Sequence, residues 1–204
     1  MTLQQIYHAL LQRYDINTQG ETVTEFTDKG TVHSYIEFYQ DLLHRYNRPS
    51  ILEIGVMTGA SLLMWDLWLD AEKIVGVDLR QGWNKPAAWH SEIESSDNIA
   101  VLFGVDSTLP LDLEQQFDII IDDGSHAPQD QMLTFDRCFP LLAPGGVYVI
   151  EDIIDAQAMW QVRDHVERHL SWRQLMSEDQ VQVGEYHGHK LGRGDDQCLW
   201  IQLL

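Results

Sequence analysis

Residues 117–126 read Phe-Asp-Ile-Ile-Ile-Asp-Asp-Gly-Ser-His, an apolar run that ends on two acids, a glycine and a histidine. A second run, Gly146-Val-Tyr-Val-Ile150, ends on Glu151 and Asp152. Strands that are apolar along their whole length belong to parallel sheets covered by helices on both faces. In such sheets ligands bind in the crevice beyond the carboxyl ends of the strands. Side by side, at a spacing of about 5 Å, the two strands would bring three or four carboxylates together there. So much negative charge in one crevice calls for a cation.

Outward from this pair, strand and helix signals alternate. Strands are predicted at Ile51 to Ile54, Lys73 to Val77 and Ile99 to Phe103, ahead of Phe117 to Ile121 and Gly146 to Ile150. Helical stretches fall between them, notably Ala60 to Leu69 and Gln129 to Leu142, the second stopped by Ala143-Pro-Gly-Gly146. This alternation predicts a doubly wound α/β domain. Residues 1–47 read as a short helical lead, broken around Asn17 to Gly30. Its later part carries Tyr35, Phe38, Tyr39, Leu42, Leu43 and Tyr46 at amphipathic spacing. After Asp152 a helix from about Ala156 to Leu170 leads to two late strands, Trp172 to Met176 and Cys198 to Leu204. They would form an antiparallel hairpin at a sheet edge. The polar stretch between them, Ser177 to Gln197 with His187-Gly-His189, reads as a surface loop. With no internal repeat or linker, residues 1–204 are expected to form one domain.

Composition narrows the partners. With 204 residues, 44% of them hydrophobic, the chain has ample material for a core. It carries 32 acids against 13 basic residues, a formal charge of −19. Such a surface repels phosphate backbones and anionic membranes, so nucleic acid and membrane are poor partners. Cys138 and Cys198 stand in apolar contexts without metal-ligand spacing and read as small core residues rather than a disulfide. The first residues lack a signal peptide's charged and apolar regions, and no segment approaches the ~20 apolar residues of a membrane span. A soluble, cytoplasmic protein is expected.

The first core strand runs into Glu53-Ile-Gly-Val-Met-Thr-Gly59-Ala-Ser61. Glycines here permit a sharp turn and a close ligand approach, and the next helix presents free N–H groups. The spacing is not the Gly-x-Gly-x-x-Gly of dinucleotide enzymes. Val75-Gly-Val-Asp78 then places an acid at the end of the next strand, where it can hold both hydroxyls of a ribose. Its bland alternative is a helix cap or solvated loop acid. Trp83, Pro86 and Trp89 could flank a cofactor or sugar ring, or simply pack on the sheet.

Taken together, Glu-x-Gly-x-x-x-Gly, Asp78 and Asp106-Ser107 after strand three resemble class I S-adenosylmethionine-dependent methyltransferases. Within them, Thr27-Asp-Lys-Gly30 with His33 and Tyr35, Gly59-Ala-Ser-Leu-Leu-Met-Trp65, Asp122-Asp-Gly-Ser-His126 and Pro144-Gly-Gly-Val-Tyr-Val-Ile-Glu-Asp152 are similar to metal-dependent O-methyltransferases. These act on sugars of macrolide and aminocoumarin natural products. The resemblance covers roughly residues 30–204 and implies a Rossmann-like, seven-stranded sheet, mostly parallel, with an antiparallel C-terminal hairpin and helices on both faces. It implies S-adenosylmethionine as cofactor, with Glu53, Gly55, Gly59 and Ser61 at the methionine end, Asp78 on the ribose, and Asp106 and Ser107 at the adenine. Some members carry a large N-terminal auxiliary domain, where this chain shows only its helical lead. Related enzymes are often oligomeric, and the apolar N-terminal helix offers a subunit contact.

Oxygen-rich clusters suit hard cations such as magnesium. The resemblance places the metal on Asp123, Glu151 and Asp152, with Asp122 facing the cofactor or capping a helix. The alternative reading makes all four acids strand-end caps. His126, three residues beyond Asp123, is expected to take a proton from the acceptor as general base. The expected function is therefore magnesium-dependent O-methylation of a hydroxyl on a small-molecule acceptor, a sugar or other natural product. Two readings compete: a nicotinamide-dependent oxidoreductase on a Rossmann fold, and a non-catalytic cofactor-binding protein. The glycine spacing and the lack of a Tyr-x-x-x-Lys pair stand against the first, and His126 stands against the second.

Overall fold

The apolar runs become strands where the alternation predicts them, except that the strand ending at Ile150 begins at Leu142, within the stretch read as helix end and terminator, and the helix before it stops at Cys138. In the computed structural model, which describes residues 1–16, 26–172, 180–189 and 193–204, five strands lie parallel in the order β3-β2-β1-β4-β5. They are β1 (Ser50–Ile54), β2 (Lys73–Asp78), β3 (Ile99–Phe103), β4 (Phe117–Asp122) and β5 (Leu142–Ile150). Two more strands, β6 (Val181–His187) and β7 (Gln197–Leu203), complete a seven-stranded sheet, with β7 antiparallel to β5 and β6 antiparallel to β7. The chain winds outward from β1 to β3 and then returns to β4 on the other side of β1. That reversal opens a crevice at the carboxyl ends of β1 and β4.

Helices cover both faces because both faces are apolar. Ile51, Ile74, Ile119 and Val147 point to one side, where α1 (Leu3–Arg13), α2 (Tyr35–Leu43) and α3 (Ala60–Leu69) pack. Leu52, Val75, Ile120 and Tyr148 point to the other, toward α5 (Pro128–Cys138) and α6 (Ala156–Trp172). A short α4 (His90–Ser95) precedes β3. α3 is buried nearly all round, which places it deep against the sheet. α1 opens with a capping box between Thr2 and Gln5, an arrangement that satisfies donors left free at a helix start. Cys138 and Cys198 are buried free thiols.

The C-terminal hairpin forms, but its first strand lies later than predicted. Trp172 is the last residue of α6, and residues 173–176 of the expected strand lie outside the described residues. β6 instead runs through the stretch read as a loop and ends on His187. The helical repeat of Met159, Val162, Val166 and Leu170, all buried, carries α6 through to Trp172. Val181-Gln-Val-Gly-Glu-Tyr was obscured by its glycine. A Cβ at Gly184 would lie 2.3 Å from the Trp200 ring, so the neighbouring strand's tryptophan requires a residue without one. Among the described residues no helix is long and apolar enough to cross a membrane.

Candidate active site

At the sheet's reversal two strand-end turns cross almost in contact. Gly55 takes φ +84°, its N–H donates to Val77 O at 2.8 Å, and Asp123 N donates to Ile54 O at 2.9 Å. A Cβ on Gly55 would sit 2.0 Å from the carbonyl oxygen of Asp123. Only glycine serves there, on conformational and on steric grounds. The crossing floors a cavity of about 680 Å³, lined among others by Gly55, Met57, Asp78, Arg80, Asp106, Ser107, Asp123 and His126. Its size suits a nucleotide-sized ligand.

Asp78 is buried at the end of β2. Its Oδ2 accepts from the N–H groups of Val56 and Met57 at 3.1 and 3.2 Å, and its Oδ1 from Arg80 N at 2.8 Å. The Arg80 guanidinium lies 3.2 Å from Oδ2. The acid therefore fixes the glycine turn and still faces the cavity with lone pairs that Arg80 shares. Asp106 Oδ1 accepts from both the N–H and the hydroxyl of Thr108, bonds that lower its pKa, and Ser107 Oγ meets Thr134 Oγ1 at 3.0 Å.

Three other sequence-predicted cofactor residues lie behind the cavity wall. Glu53 is fully buried in β1 and accepts from Trp65 Nε1 at 2.9 Å. Ser61, in α3, is buried beside it and hydrogen-bonds its carboxylate. Gly59 caps α3 at φ +76°, packed against Trp83 and Ile93. Of the tryptophans, Trp89 is buried with its Nε1 on Thr58 O, and Trp83 stacks on His90 at 4.1 Å. Both shape the turn from outside the cavity.

The acids of β4 and β5 converge as expected, and the cation among them comes from the chain itself. The Nζ of Lys29 lies 2.7 Å from Asp123 Oδ2, and 2.7 and 2.9 Å from the two oxygens of Glu151. Glu53 Oε1 is 4.0 Å away. Lys29 has no solvent exposure. Burial pulls its pKa down, but Asp123, Glu151 and Glu53 outweigh that and raise it well above the ordinary lysine value. Glu151 is further tied by the Tyr39 hydroxyl, and its pKa is pushed up by burial against the opposing pull of Lys29.

Asp152 faces the other way. Its backbone takes φ +54°, a conformation rare outside glycine and characteristic of constrained sites. The Tyr35 hydroxyl donates to Asp152 Oδ1 at 2.8 Å, while Oδ2 lies 3.3 Å from His33 Nε2 and 3.5 Å from His126 Nε2. Burial, with repulsion from Asp123, pushes its pKa up to about 8. His126 Nε2 stands 3.8 Å from Asp123 Oδ1 with 44% of its side chain exposed. Asp123, His126 and Asp152 each turn one donor atom toward a common point, as do Asp28, His33 and Asp152.

A divalent cation fits this donor set in part. Asp123 Oδ1 and Asp152 Oδ2 are the carboxylate oxygens that Lys29 and Tyr35 leave toward His126. Hard cations take such oxygens with waters completing the shell. Both Glu151 oxygens accept from Lys29, and one also from the Tyr39 hydroxyl. Asp122 is buried beside the Tyr148 hydroxyl, and burial raises its pKa well above the carboxylate range.

The segment that supplies Lys29 was the least legible part of the site. Thr27 Oγ1 accepts from Lys29 N at 3.4 Å, Thr58 Oγ1 donates to Phe26 O at 3.1 Å, and the Ser34 hydroxyl donates to Asp196 Oδ2 at 2.7 Å. Spacing alone marks Tyr35 and Tyr39 as apolar helix positions, and says nothing of hydroxyls that reach Asp152 and Glu151. The available signal was the density of polar chemistry in Thr27-Asp-Lys-Gly30, ahead of His33, Ser34 and Tyr35.

Residues 52–153 match a family model described as a methyltransferase domain. Among curated proteins, the chain is 30% identical over 145 residues to 8-demethyl-8-alpha-L-rhamnosyl tetracenomycin-C 2'-O-methyltransferase of Streptomyces olivaceus, across 66% of this chain and 37% of that protein. It is 31% identical over 145 residues to mycinamicin VI 2''-O-methyltransferase of Micromonospora griseorubida, across 63% and 34%. The chain thus spans about a third of the length of these relatives. Among solved structures it superposes on a methyltransferase from the mycinamycin biosynthetic pathway in complex with Mg, SAH and mycinamycin VI. The TM-score is 0.63 at 21% identity, over 100% of this chain and 53% of the other. A SAM-dependent O-methyltransferase from Thermotoga maritima gives 0.59 at 12% identity, over 82% and 64%.

Proposed function

The chain belongs to the methyltransferase-domain family, and from that premise we propose that it transfers a methyl group from S-adenosylmethionine to a hydroxyl of a small-molecule acceptor, of the sugar or glycosylated natural-product class. The observation that carries this reading is the single cavity that joins Gly55, Asp78, Asp106 and Ser107 to Asp123 and His126. A cofactor held by the first group would present its methyl toward the second. The relatives' names support the acceptor class, one being a 2'-O-methyltransferase of a rhamnosyl tetracenomycin and the other a 2''-O-methyltransferase of mycinamicin VI. The charge of −19 favours neutral or cationic acceptors over nucleic acid.

In this reading the turn at Gly55 lies under the methionine end, Asp78 accepts from the ribose hydroxyls in place of Arg80, and Asp106 with Ser107 borders the adenine. Glu53, Gly59 and Ser61 act by shaping the glycine turn from behind. A magnesium ion or similar dication would be held by Asp123 and Asp152, with Glu151 behind them. When bound it would orient the acceptor hydroxyl and make it more acidic. His126 accepts the hydroxyl proton at Nε2 as the oxygen attacks the methyl carbon. The C–O bond forms, the S–C bond breaks, and the bonding pair returns to sulfur, which neutralises the sulfonium. Asp152 and Asp123, near Nε2, stabilise the imidazolium that results.

Calorimetry tests the premise first. Saturable binding of S-adenosylmethionine without binding of NAD is expected, and a screen of sugar-bearing acceptors should then give the methyl ether. NAD binding without S-adenosylmethionine binding would overturn the reading.

A further inference from the structure

A second group of metal-ligating side chains lies at the far end of α5, remote from the cavity. Asp136 projects from the last turns of α5, and His165 and His169 stand one helical turn apart on α6. Asp136 Oδ1 is 2.9 Å from His165 Nε2 and 2.8 Å from His169 Nδ1, and the three donor atoms lie within 4.8 Å of one another. Eight residues of helix separate Asp136 from Pro128 at the cavity end, about 12 Å of rise. The cluster opens into a shallow recess with Arg168 and Trp172 at its rim.

We propose that Asp136, His165 and His169 form a binding site for a borderline transition-metal ion, zinc being the physiological candidate, which clamps α5 to α6. Two imidazoles and one carboxylate suit zinc, nickel, cobalt or copper, whereas magnesium and calcium prefer all-oxygen shells. Two ligands each about 2.1 Å from a zinc ion lie about 3.0–3.4 Å apart. The nitrogen-to-oxygen separations here need to open by only a few tenths of an ångström. An entering ion takes the lone pairs of the two nitrogens that face Asp136: a neutral ring shifts its single proton to its other nitrogen, and a charged ring releases the facing proton to solvent.

The rings are held in place without the ion. Phe135 and Phe139 meet His169 edge-on, at 5.3 and 5.7 Å between centroids, and Phe135 meets His165 at 6.5 Å. The neighbouring cation does not block the site, because the Arg168 guanidinium is paired with Asp164. The recess leaves room for one or two waters to complete the shell.

The test titrates the chelator-treated full chain with zinc chloride, and with cobalt chloride as a visible-absorbing probe. It uses a His33→Gln, His126→Ala background, so that neither donor group beside the cavity keeps an imidazole. One saturable equivalent is expected. At a hundredfold excess over Kd the melting temperature should rise by about 5–10 °C. His165→Gln and His169→Gln keep a hydrogen-bond donor toward Asp136. They should therefore melt near the parent without zinc, yet lose both the zinc-induced rise and the cobalt absorption. Should a glutamine variant fold poorly, Asp136→Asn should show the same loss. Absence of saturable binding, or binding that these variants leave unchanged, would overturn the site and leave only a hydrogen-bonded contact between helices.

Discussion

Lys29 Nζ lies 2.7 Å from Asp123 Oδ2 and 2.7 Å from Glu151 Oε1, so carboxylates from two neighbouring strands share one ammonium from the N-terminal segment. Breaking a buried pair by removing one partner costs about 3–5 kcal/mol, because the abandoned charges stay desolvated. Lys29→Met is therefore expected to lower the melting temperature by about 6–20 °C. The freed carboxylates should also make the variant more responsive to divalent cations. Added magnesium should raise the variant's melting temperature more than the parent's. Equal responses in the two would show that Lys29 does not compete for the cation's charge.

The same cluster sets a pH dependence. Burial pushes Glu53 up to about 7 despite Lys29, and Asp152 up to about 8. A carboxyl raised on folding holds its proton more tightly in the fold. Its stabilising contribution is complete below the unfolded value and is lost as the pH climbs through the folded one. His33 acts oppositely, since burial lowers its pKa from 6.5, but above that pH it is neutral folded or unfolded. From pH 6.5 to 8.5 the buried carboxyls set the sign, and the buried thiols Cys138 and Cys198, raised by burial, act in the same direction near the top of the window. The melting temperature of metal-free protein should fall across this window, and a flat or rising profile would count against protonated carboxyls in the cluster.

Asp78 offers a sharper test of the cofactor pose. Its carboxylate holds the turn through Val56 and Met57, and its remaining capacity is shared with Arg80. A hydrogen bond to a charged group contributes roughly 1.5–3 kcal/mol. Asp78→Asn should weaken S-adenosylmethionine binding by about tenfold to a hundredfold in calorimetry. Arg80→Ala, which frees the carboxylate, should leave affinity unchanged or improved. Unchanged affinity in a folded Asp78→Asn protein would remove the acid from the cofactor site.

The sheet was legible because its strands are apolar throughout and its terminators are glycine and proline. Phe117–Asp122 and Leu142–Ile150 pair in parallel where their burial requires it. Asp123, Glu151 and Asp152 were legible as strand-end acids. Their division of labour was not, because it depends on side chains from residues distant in sequence. Lys29 is 94 residues from Asp123 and 122 from Glu151, and no local period relates them. Likewise Glu53 belongs to the motif around Gly55, but strand alternation turns it away from the cavity toward Trp65. β6 was hidden by Gly184, whose reason lies across the sheet in Trp200.

The last prediction separates proton transfer from cation binding at adjoining side chains. His126 Nε2 is 3.5 Å from Asp152 Oδ2, and the imidazole is partly exposed to the cavity while the carboxyl is buried. General-base catalysis contributes roughly a hundredfold to ten-thousandfold. His126→Ala should lower turnover by a factor in that range while leaving magnesium and S-adenosylmethionine affinity within about twofold, a change worth only ~0.4 kcal/mol. Asp152→Asn should do the reverse at the metal. The amide can still accept from the Tyr35 hydroxyl, so the fold is retained, but the site loses a charge and magnesium affinity should drop more than about tenfold. Asp123→Asn is a poorer probe, because it also deprives Lys29 of a partner. Full turnover in the presence of EDTA would refute the cation's part. A His126→Ala protein as fast as its parent would transfer the proton to solvent or to another group.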